Sequence, residues 1–160
     1  MEMLIDKNRK QLIGILMAML FLLSACSVNK KLAVQTDEKL IESINQLINC
    51  LNSKDQDCVL GLYSPQFDSF SPITNINSVE DLVDVTVSSM AKNNYFVVSE
   101  ITELEMGAQL AYVRLNWKMV EQNADESYNL VIDEKRLDIW RLEGNNWKLY
   151  RSLFYKEISY

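Results

Sequence analysis

The sequence predicts an α+β domain in which three N-terminal helices pack on a curved, mostly antiparallel sheet. Apolar residues recur at helical spacing through the first half of the domain, and from Tyr95 onward apolar and polar residues alternate as they do in strands. Short connections between the strands favour antiparallel neighbours. Because each element has one apolar face to bury, helices covering one side of a sheet are the expected arrangement.

Three helices are predicted before residue 94. The first covers Asp37–Asn52, where apolar residues spaced by three and four share one face. Asp55 or Asp57 can cap the second helix, which is expected to run up to Pro65. After an irregular stretch, the third helix is predicted within residues 77–93, with acidic residues in its first turn.

Four long strands are predicted after the helices. They lie near Tyr95–Glu105, Gln109–Gln122, Tyr128–Leu142 and Trp147–Ile158. The second strand alternates most clearly, so its apolar residues are expected to face the helices and its polar residues the opposite side of the sheet. The apolar set is Ala111, Val113, Leu115, Trp117 and Met119, and the other set is Tyr112, Arg114, Asn116 and Lys118.

Composition excludes several classes of function. The formal net charge of the 160 residues is −6 and the basic residues do not cluster, so nucleic acid is not an expected partner. The chain has no histidine, which removes the usual general base near neutral pH and the commonest zinc ligand. No metal and no cofactor are expected, and any acid–base chemistry would use carboxylate, Tyr, Lys or Cys side chains.

The N-terminal segment has three parts. Lys7, Arg9 and Lys10 precede an apolar run, Leu12–Leu23, which is shorter than the about 20 residues that span a membrane. The run ends in Leu23-Ser24-Ala25-Cys26, where small residues precede a nucleophilic thiol. This pattern resembles the lipobox of bacterial lipoproteins.

The lipobox resemblance implies that a lipid is attached to Cys26 and that the chain is cleaved before it. Residues 1–25 then form a signal peptide, residues 26–36 a lipidated tether, and residues 37–160 one folded domain. The membrane is a partner through the lipid, and the expected location is the cell envelope. In a cell with two membranes, Ser27 is compatible with an outer-membrane position facing the periplasm. The alternative is a plain signal anchor with an incidental cysteine.

Two segments of the domain resemble a known superfamily. The run Leu51–Phe67, LNSKDQDCVLGLYSPQF, resembles the helix–break–helix of the nuclear transport factor 2-like superfamily, which includes ketosteroid isomerases and polyketide cyclases. The run Leu137–Leu149, LDIWRLEGNNWKL, is similar to its closing hairpin. The resemblance implies a cone-shaped fold. It does not specify a function, because the superfamily contains isomerases, cyclases, dehydratases, binding domains and assembly modules.

The same resemblance argues against steroid-type isomerisation. The isomerases place a tyrosine on the first helix, a base aspartate before a proline after the second helix, and a protonated aspartate on the strand that enters the last hairpin. The corresponding positions are Leu47, Ser71 and Asp138, so only the third group is present. Asp138 alone supplies a hydrogen bond but no positioned base.

Asp138 and Arg151 lie on strands that are predicted to be neighbours. The comparison with the isomerases points both into the cone, where a carboxylate–guanidinium pair could orient a ligand. The alternative places Asp138 on the outer face in a surface pair, since a bulge near Asp133-Glu134 would change which residues face inward. The residues that can line the pocket are Tyr63, Phe67, Ser71, Met90, Trp117, Asp138, Trp140, Arg151 and Tyr155.

Cys50 and Cys58 flank the break between the first two helices. In an exported protein a disulfide between them would close this turn, and the alternative is two free, half-buried thiols. A thiol catalyst is less favoured than either, because no histidine is present to activate it.

Three interpretations of function follow from the sequence. The first is a noncatalytic envelope domain that binds a small apolar ligand, or that pairs with itself or another envelope protein through Tyr112, Arg114 and Lys118 on the sheet. The second is a small hydrolase, cyclase or dehydratase that uses Asp138 with a tyrosine such as Tyr63 or Tyr155. The third is an assembly subunit of an envelope complex. The two missing isomerase groups favour the first.

Overall fold

The structure of the protein, a computed structural model, describes residues 38–70 and 78–155. It contains three helices in this part of the chain: α1 over residues 38–53, α2 over Gln56–Leu62 and α3 over Val79–Lys92. The side chain of Asp55 accepts a hydrogen bond from the Cys58 amide at the start of α2, and Ser78 caps α3 in the same way. The three predicted helices are confirmed.

Within the described residues, five strands form one sheet. They are β1 (Tyr63–Phe70), β2 (Tyr95–Met106), β3 (Leu110–Gln122), β4 (Tyr128–Glu143) and β5 (Asn146–Tyr155). The order across the sheet is β1-β5-β4-β3-β2, so β2 to β5 form an antiparallel meander, and β1 joins its β5 edge in parallel. The predicted α+β class is confirmed: helices pack on a curved, unclosed and mostly antiparallel sheet.

The strand β1 corrects the sequence-based prediction, which extended the second helix to Pro65 and left the following residues irregular. The helix ends at Leu62, and Tyr63 has an extended backbone with φ −86° and ψ 145°. A helical conformation is disfavoured for the residue that precedes a proline, here Ser64. Proline is tolerated in a strand at the edge of a sheet. Pro65 therefore lies within an edge strand, and Tyr63 is the first residue of that strand.

The apolar core lies between the helices and one face of the sheet, called here the inner face. The predicted alternation of β3 is confirmed, because Ala111, Val113, Leu115 and Trp117 are buried while Tyr112, Arg114 and Lys118 are exposed. Each of the three helices contributes one apolar face to the core. These helical residues are Leu40, Ile44, Leu47, Leu51, Val59, Leu62, Val83, Val87 and Met90.

Two register shifts determine which side chains of β4 and β5 face inward. The pairing of β3 with β4 shifts where Met119 pairs with Ile132 and Val120 with Leu130, so the irregularity lies before Asp133-Glu134 rather than at it. The pairing of β4 with β5 also shifts. Ile139 pairs with Arg151, whereas the next residue of β4 pairs with Leu149, which leaves Tyr150 as the extra residue of β5.

The second shift changes the inward-facing residues of β5 from odd to even positions. Trp147 and Leu149 are buried before the shift, and Ser152 is buried after it. Ser152 is consequently the residue that pairs with Asp138.

The free edge of β2 is held by the break between α1 and α2. The side-chain amide of Asn52 donates to the carbonyl of Val97 at 2.9 Å and accepts from its amide at 2.7 Å, as a neighbouring strand would. Lys54 donates to the carbonyl of Tyr95 at 2.6 Å and lies over the ring of Phe96. The turn between the helices is thus fixed to the sheet.

The predicted signal peptide, tether and lipidation site Cys26 lie outside the described residues, and so do Ser71 and the end of the last predicted strand at Ile158. Within residues 38–70 and 78–155, no helix is both long enough and apolar enough to cross a membrane.

Candidate functional site

Four successive inward-facing positions of β4 carry Glu134, Arg136, Asp138 and Trp140. Their cross-strand partners on β3 are all apolar and include Trp117 opposite Glu134. Arg136 is 6% exposed and Asp138 only 1% exposed, so two charged side chains lie inside an otherwise apolar core. Charged residues are rarely buried to this degree without partners.

Arg136, Asp138 and Ser152 form a closed set of contacts that we call the inner cluster. The Arg136 guanidinium donates from Nη2 to Ser152 Oγ at 2.8 Å, and the Ser152 hydroxyl donates to Asp138 Oδ1. Nη2 of Arg136 also lies 3.5 Å from the same carboxylate oxygen. The serine therefore bridges the two charges, and all three groups are held on rigid strands.

The Arg136 guanidinium contacts two aromatic rings. Its central carbon is 4.0 Å from the centroid of the Trp117 ring and 4.6 Å from that of the Phe154 ring. Such cation–π contacts are attractive. The Nε–H of Arg136 is buried and has no hydrogen-bond partner within the described residues, as is also true of the indole N–H groups of Trp140 and Trp147.

Burial raises the pKa of three groups in and beside the inner cluster. Desolvation raises the pKa of Asp138, although the charge of Arg136 and the hydrogen bond from Ser152 oppose it. Desolvation also raises the pKa of Glu134, and it raises the pKa of Tyr63 to about 12; in both cases the charge of Arg136 opposes the shift and that of Asp138 adds to it. The site therefore contains carboxyl groups that hold protons more tightly than they would in water, beside a neutral phenol.

Arg151 does not contact Asp138. Because of the extra residue at Tyr150, Arg151 pairs with Ile139 and its guanidinium donates to the backbone carbonyls of Gln66 and Tyr150 on the other side of the sheet. The predicted Asp138–Arg151 pair is wrong. The alternative of an exposed surface pair is also wrong, because Asp138 is buried with Arg136.

The remaining predicted pocket residues separate into three groups. Tyr63 and Phe67 are partly buried beside the core, with ring centroids 4.7 Å apart in an edge-to-face contact. Met90 and Trp140 are fully buried core side chains. Ser71 and the side chain of Tyr155 lie outside the described part of the chain. Leu47, at the position of the isomerase tyrosine, is 3% exposed and belongs to the core.

A second set of similar composition lies on the opposite, outer face of the sheet, and we call Arg141, Glu143 and Ser64 the outer cluster. Arg141 donates to Ser64 Oγ at 3.0 Å and from Nε to Glu143 at 2.9 Å, and Ser64 donates to Glu143 at 2.8 Å. Desolvation would raise the pKa of Glu143, but the hydrogen bonds from Arg141 and Ser64 outweigh it and lower this pKa. The cluster joins β4 to β1 across β5, over the ring of Tyr150.

The disulfide considered from the sequence is present in the structure. Cys50 and Cys58 are joined across the turn between α1 and α2, with 5.7 Å between their Cα atoms. A cleft of about 340 Å³ lies beside Cys58 and is also lined by Gln46, Trp147 and Lys148. None of its lining residues belongs to the inner cluster. In the described ranges, no group of three or more acidic or cysteine side chains is arranged to hold a metal ion.

Neither a protein-family model nor a curated protein matches the sequence. Solved structures do match the fold. An NTF2-like protein with a cystatin-like fold from Novosphingobium aromaticivorans is 8% identical, with a TM-score of 0.69 over 79% of this chain and 85% of that one. A putative dehydratase of the NTF2-like family from Streptomyces avermitilis is 12% identical, with a TM-score of 0.62 over 78% of this chain and 98% of that one.

A ketosteroid isomerase-like protein from Erwinia carotovora is also similar. It is 17% identical, with a TM-score of 0.57 over 73% of this chain and 92% of that one. These likenesses establish the nuclear transport factor 2-like, cystatin-like fold that the sequence resemblance implied. At such low identities they establish the fold alone.

The sequence analysis did not identify Arg136 and Ser152 as site residues. Alternation could have identified Arg136, because it lies two residues before Asp138 and therefore on the same face of the strand. Ser152 could not have been found in this way, since its orientation depends on the register shift at Tyr150.

Proposed function

We propose that this chain is a lipid-anchored protein of the cell envelope whose domain binds a small, largely apolar ligand at the inner cluster. The observation that carries the proposal is the buried polar set of Arg136, Asp138 and Ser152 within an apolar interior. A few convergent polar groups in a mostly apolar and aromatic setting are typical of small-molecule sites.

Stability alone does not account for the inner cluster. A buried ion pair loses most of its Coulombic energy to desolvation, and apolar residues of similar volume are often as stabilising. The buried Nε–H of Arg136, which has no partner within the described residues, adds a further cost of about 1–3 kcal/mol. A ligand that accepts this hydrogen bond would remove the cost, which supports a binding role for the site.

Acid–base catalysis is the second candidate, and the raised pKa of Asp138 favours it. A raised pKa brings a carboxyl group closer to the pH at which it can exchange a proton with a substrate. Dehydratase and isomerase-like proteins share the fold, and their chemistry would need a base in addition. The base and tyrosine positions of the isomerases correspond here to Ser71 and Leu47, so we place binding first.

Lipid anchoring is proposed from the sequence of residues 1–26. It is tested by replacing Cys26 with serine in cells and measuring membrane retention and the incorporation of labelled fatty acid. We expect both to be lost. Unchanged retention and unchanged labelling would contradict the anchor, and with it the envelope location.

The outer face of the sheet is proposed as a contact surface for a second copy or for another envelope protein. Val98 and Tyr112 are 58% and 45% exposed there. Ion pairs surround them: Arg114 contacts Glu103 at 2.9 Å and Lys118 contacts Asp133 at 3.7 Å. An exposed apolar area with a charged surround is typical of protein interfaces, and it is also what an assembly subunit would need.

The ligand-binding proposal is tested by mass spectrometry of small molecules retained by the full-length protein purified from its native cells. We expect the wild-type protein to retain one class of molecule, and the Asp138→Asn variant to retain at least several-fold less. Glu143→Gln, a matched change in the outer cluster, should retain as much as wild type. Equal recovery from all three proteins, or from none, would contradict the proposal. Turnover of the recovered molecule by wild type but not by Asp138→Asn would favour catalysis instead.

A further inference from the structure

We propose that the ligand carries, at its polar end, a hydrogen-bond acceptor next to a donor, as a carboxamide or lactam does, and that Arg136 Nε and the Glu134 carboxylate bind this pair. This inference rests on the proposed binding function and specifies the chemical class of its ligand. It follows from the unused hydrogen-bonding capacity of two neighbouring inward-facing residues of β4.

The donor is the Nε–H of Arg136. The guanidinium uses Nη2 for Ser152 and Asp138, and it also contacts the rings of Trp117 and Phe154. The Nε–H is buried but unpartnered within the described residues. This buried donor is therefore available to a hydrogen-bond acceptor on a ligand.

The acceptor is the carboxylate of Glu134. Its position is two residues before Arg136 on the inner face, directly across from Trp117, and it is half-buried. No hydrogen bond or ion pair joins this carboxylate to another side chain within residues 38–70 and 78–155. The charges of Arg136 and Asp138 both act on Glu134, which places the three groups in one electrostatic environment.

Charge selects between the possible head groups. Arg136 already has Asp138 as its counter-ion, so a carboxylate ligand would bring a third negative group to a single guanidinium. An ammonium ligand could pair with Glu134, but it would lie beside a guanidinium and leave the Arg136 Nε–H without an acceptor. A neutral amide provides the acceptor for Arg136 and the N–H for Glu134 without adding charge.

Three probes with the same ring test this inference: benzamide, benzoate and benzylammonium. Their dissociation constants are measured by NMR titration at pH 7 with the full-length protein in detergent. We expect benzamide to bind about tenfold more tightly than either charged probe, the difference of one charge-assisted hydrogen bond. Benzoate binding as tightly as benzamide would overturn the inference and leave the binding function standing.

The Glu134→Gln variant provides a readout that a purely structural role would not change. The introduced amide retains an acceptor oxygen but not the negative charge, so benzoate should bind about five- to tenfold more tightly than it does to wild type. Benzamide should bind about three- to fivefold more weakly, because its charge-assisted hydrogen bond to Glu134 becomes a neutral one. Glu143→Gln is the matched control and should leave all three constants unchanged. A preference for benzamide that is unaffected by Glu134→Gln would overturn the role of Glu134.

If none of the three probes binds, the inference is tested by the chemical structure of the molecule recovered from the native protein. A recovered molecule that contains an amide or lactam supports the inference, and one without such a group overturns it. Failure of the probes together with no recovered molecule would overturn the inference and the proposed function together.

Discussion

Strand β4 carries the same chemical set twice, once on each face of the sheet. In both the inner and the outer cluster an arginine and a carboxylate lie two residues apart, and a serine from another strand joins them. The inner side chains Arg136 and Asp138 are 7% and 1% exposed, whereas Arg141 and Glu143 are 26% and 28% exposed. The arginine and carboxylate of the two clusters differ mainly in their access to water, whereas both serines are fully buried.

This difference in exposure reverses the direction in which the pKa of the carboxyl group is shifted. Desolvation dominates inside, and the pKa of Asp138 is raised despite its two partners. Outside, hydrogen bonds from Arg141 and Ser64 outweigh desolvation, and the pKa of Glu143 is lowered. The same kinds of contact therefore accompany a raised carboxyl pKa in one place and a lowered carboxyl pKa in the other.

The largest expected effect comes from removing one carboxylate. Asp138→Ala leaves Arg136 buried without its counter-ion and should lower the free energy of unfolding by about 3–5 kcal/mol. Glu143→Ala leaves Arg141 with access to water and should cost less than about 1 kcal/mol. Urea denaturation of the full-length protein measures both. Equal losses would show that burial does not distinguish the two clusters.

Removing the bridging serine should have a smaller effect in the same direction. Ser152→Ala deprives two buried charged groups of a partner, at an expected cost of about 1–3 kcal/mol. Ser64→Ala should cost about 1 kcal/mol, because Arg141 keeps its bonds to Glu143 and Gln66. The comparison uses the same denaturation measurement, and a larger loss for Ser64→Ala would contradict it.

The two carboxyl groups should give stability profiles of opposite slope. The pKa of Asp138 in the folded state is above its ordinary 3.8, so wild type should lose stability relative to Asp138→Asn as pH rises from 3.8 through the folded pKa. The pKa of Glu143 is below its ordinary 4.5, so its contribution is complete above 4.5 and is lost as pH falls through the folded pKa. Denaturation at several pH values against Asp138→Asn and Glu143→Gln tests both signs.

Salt should produce the smallest effect. Raising the salt concentration to about 1 M shortens the screening length to about 3 Å, which weakens exposed ion pairs more than buried ones. The coupling energy between Arg141 and Glu143, measured by a double-mutant cycle, should fall by a few tenths of a kcal/mol. The coupling energy between Arg136 and Asp138 should not change measurably. A salt-sensitive Arg136–Asp138 coupling would mean that water reaches the inner cluster.

The periodic spacing of apolar residues predicted most of the fold, because a helix or strand that buries one face needs apolar residues at that spacing. The three helices and the four antiparallel strands each bury one face, and a strand such as β3 shows this directly in its alternating residues. The strand β1 was missed for two reasons. It is short and lies at an edge, and its Pro65 resembles a helix stop rather than part of a strand.

The site was predictable only in part, because its composition depends on register. Asp138 was identified from the sequence, and Arg136 shares its face by simple alternation. The choice of Ser152 over Arg151 as the partner depends on one extra residue at Tyr150. A one-residue shift moves every following side chain to the other face, and no local sequence pattern marks this one.

The amide of Asn52 has a consequence for the behaviour of the protein at high concentration. It occupies the outward-facing N–H and C=O of Val97, so a strand from another molecule finds these positions already taken at the edge of β2. Farther along the same edge, Glu100, Glu103 and Glu105 would repel an identical strand. Both features disfavour edge-to-edge pairing of two copies through β2.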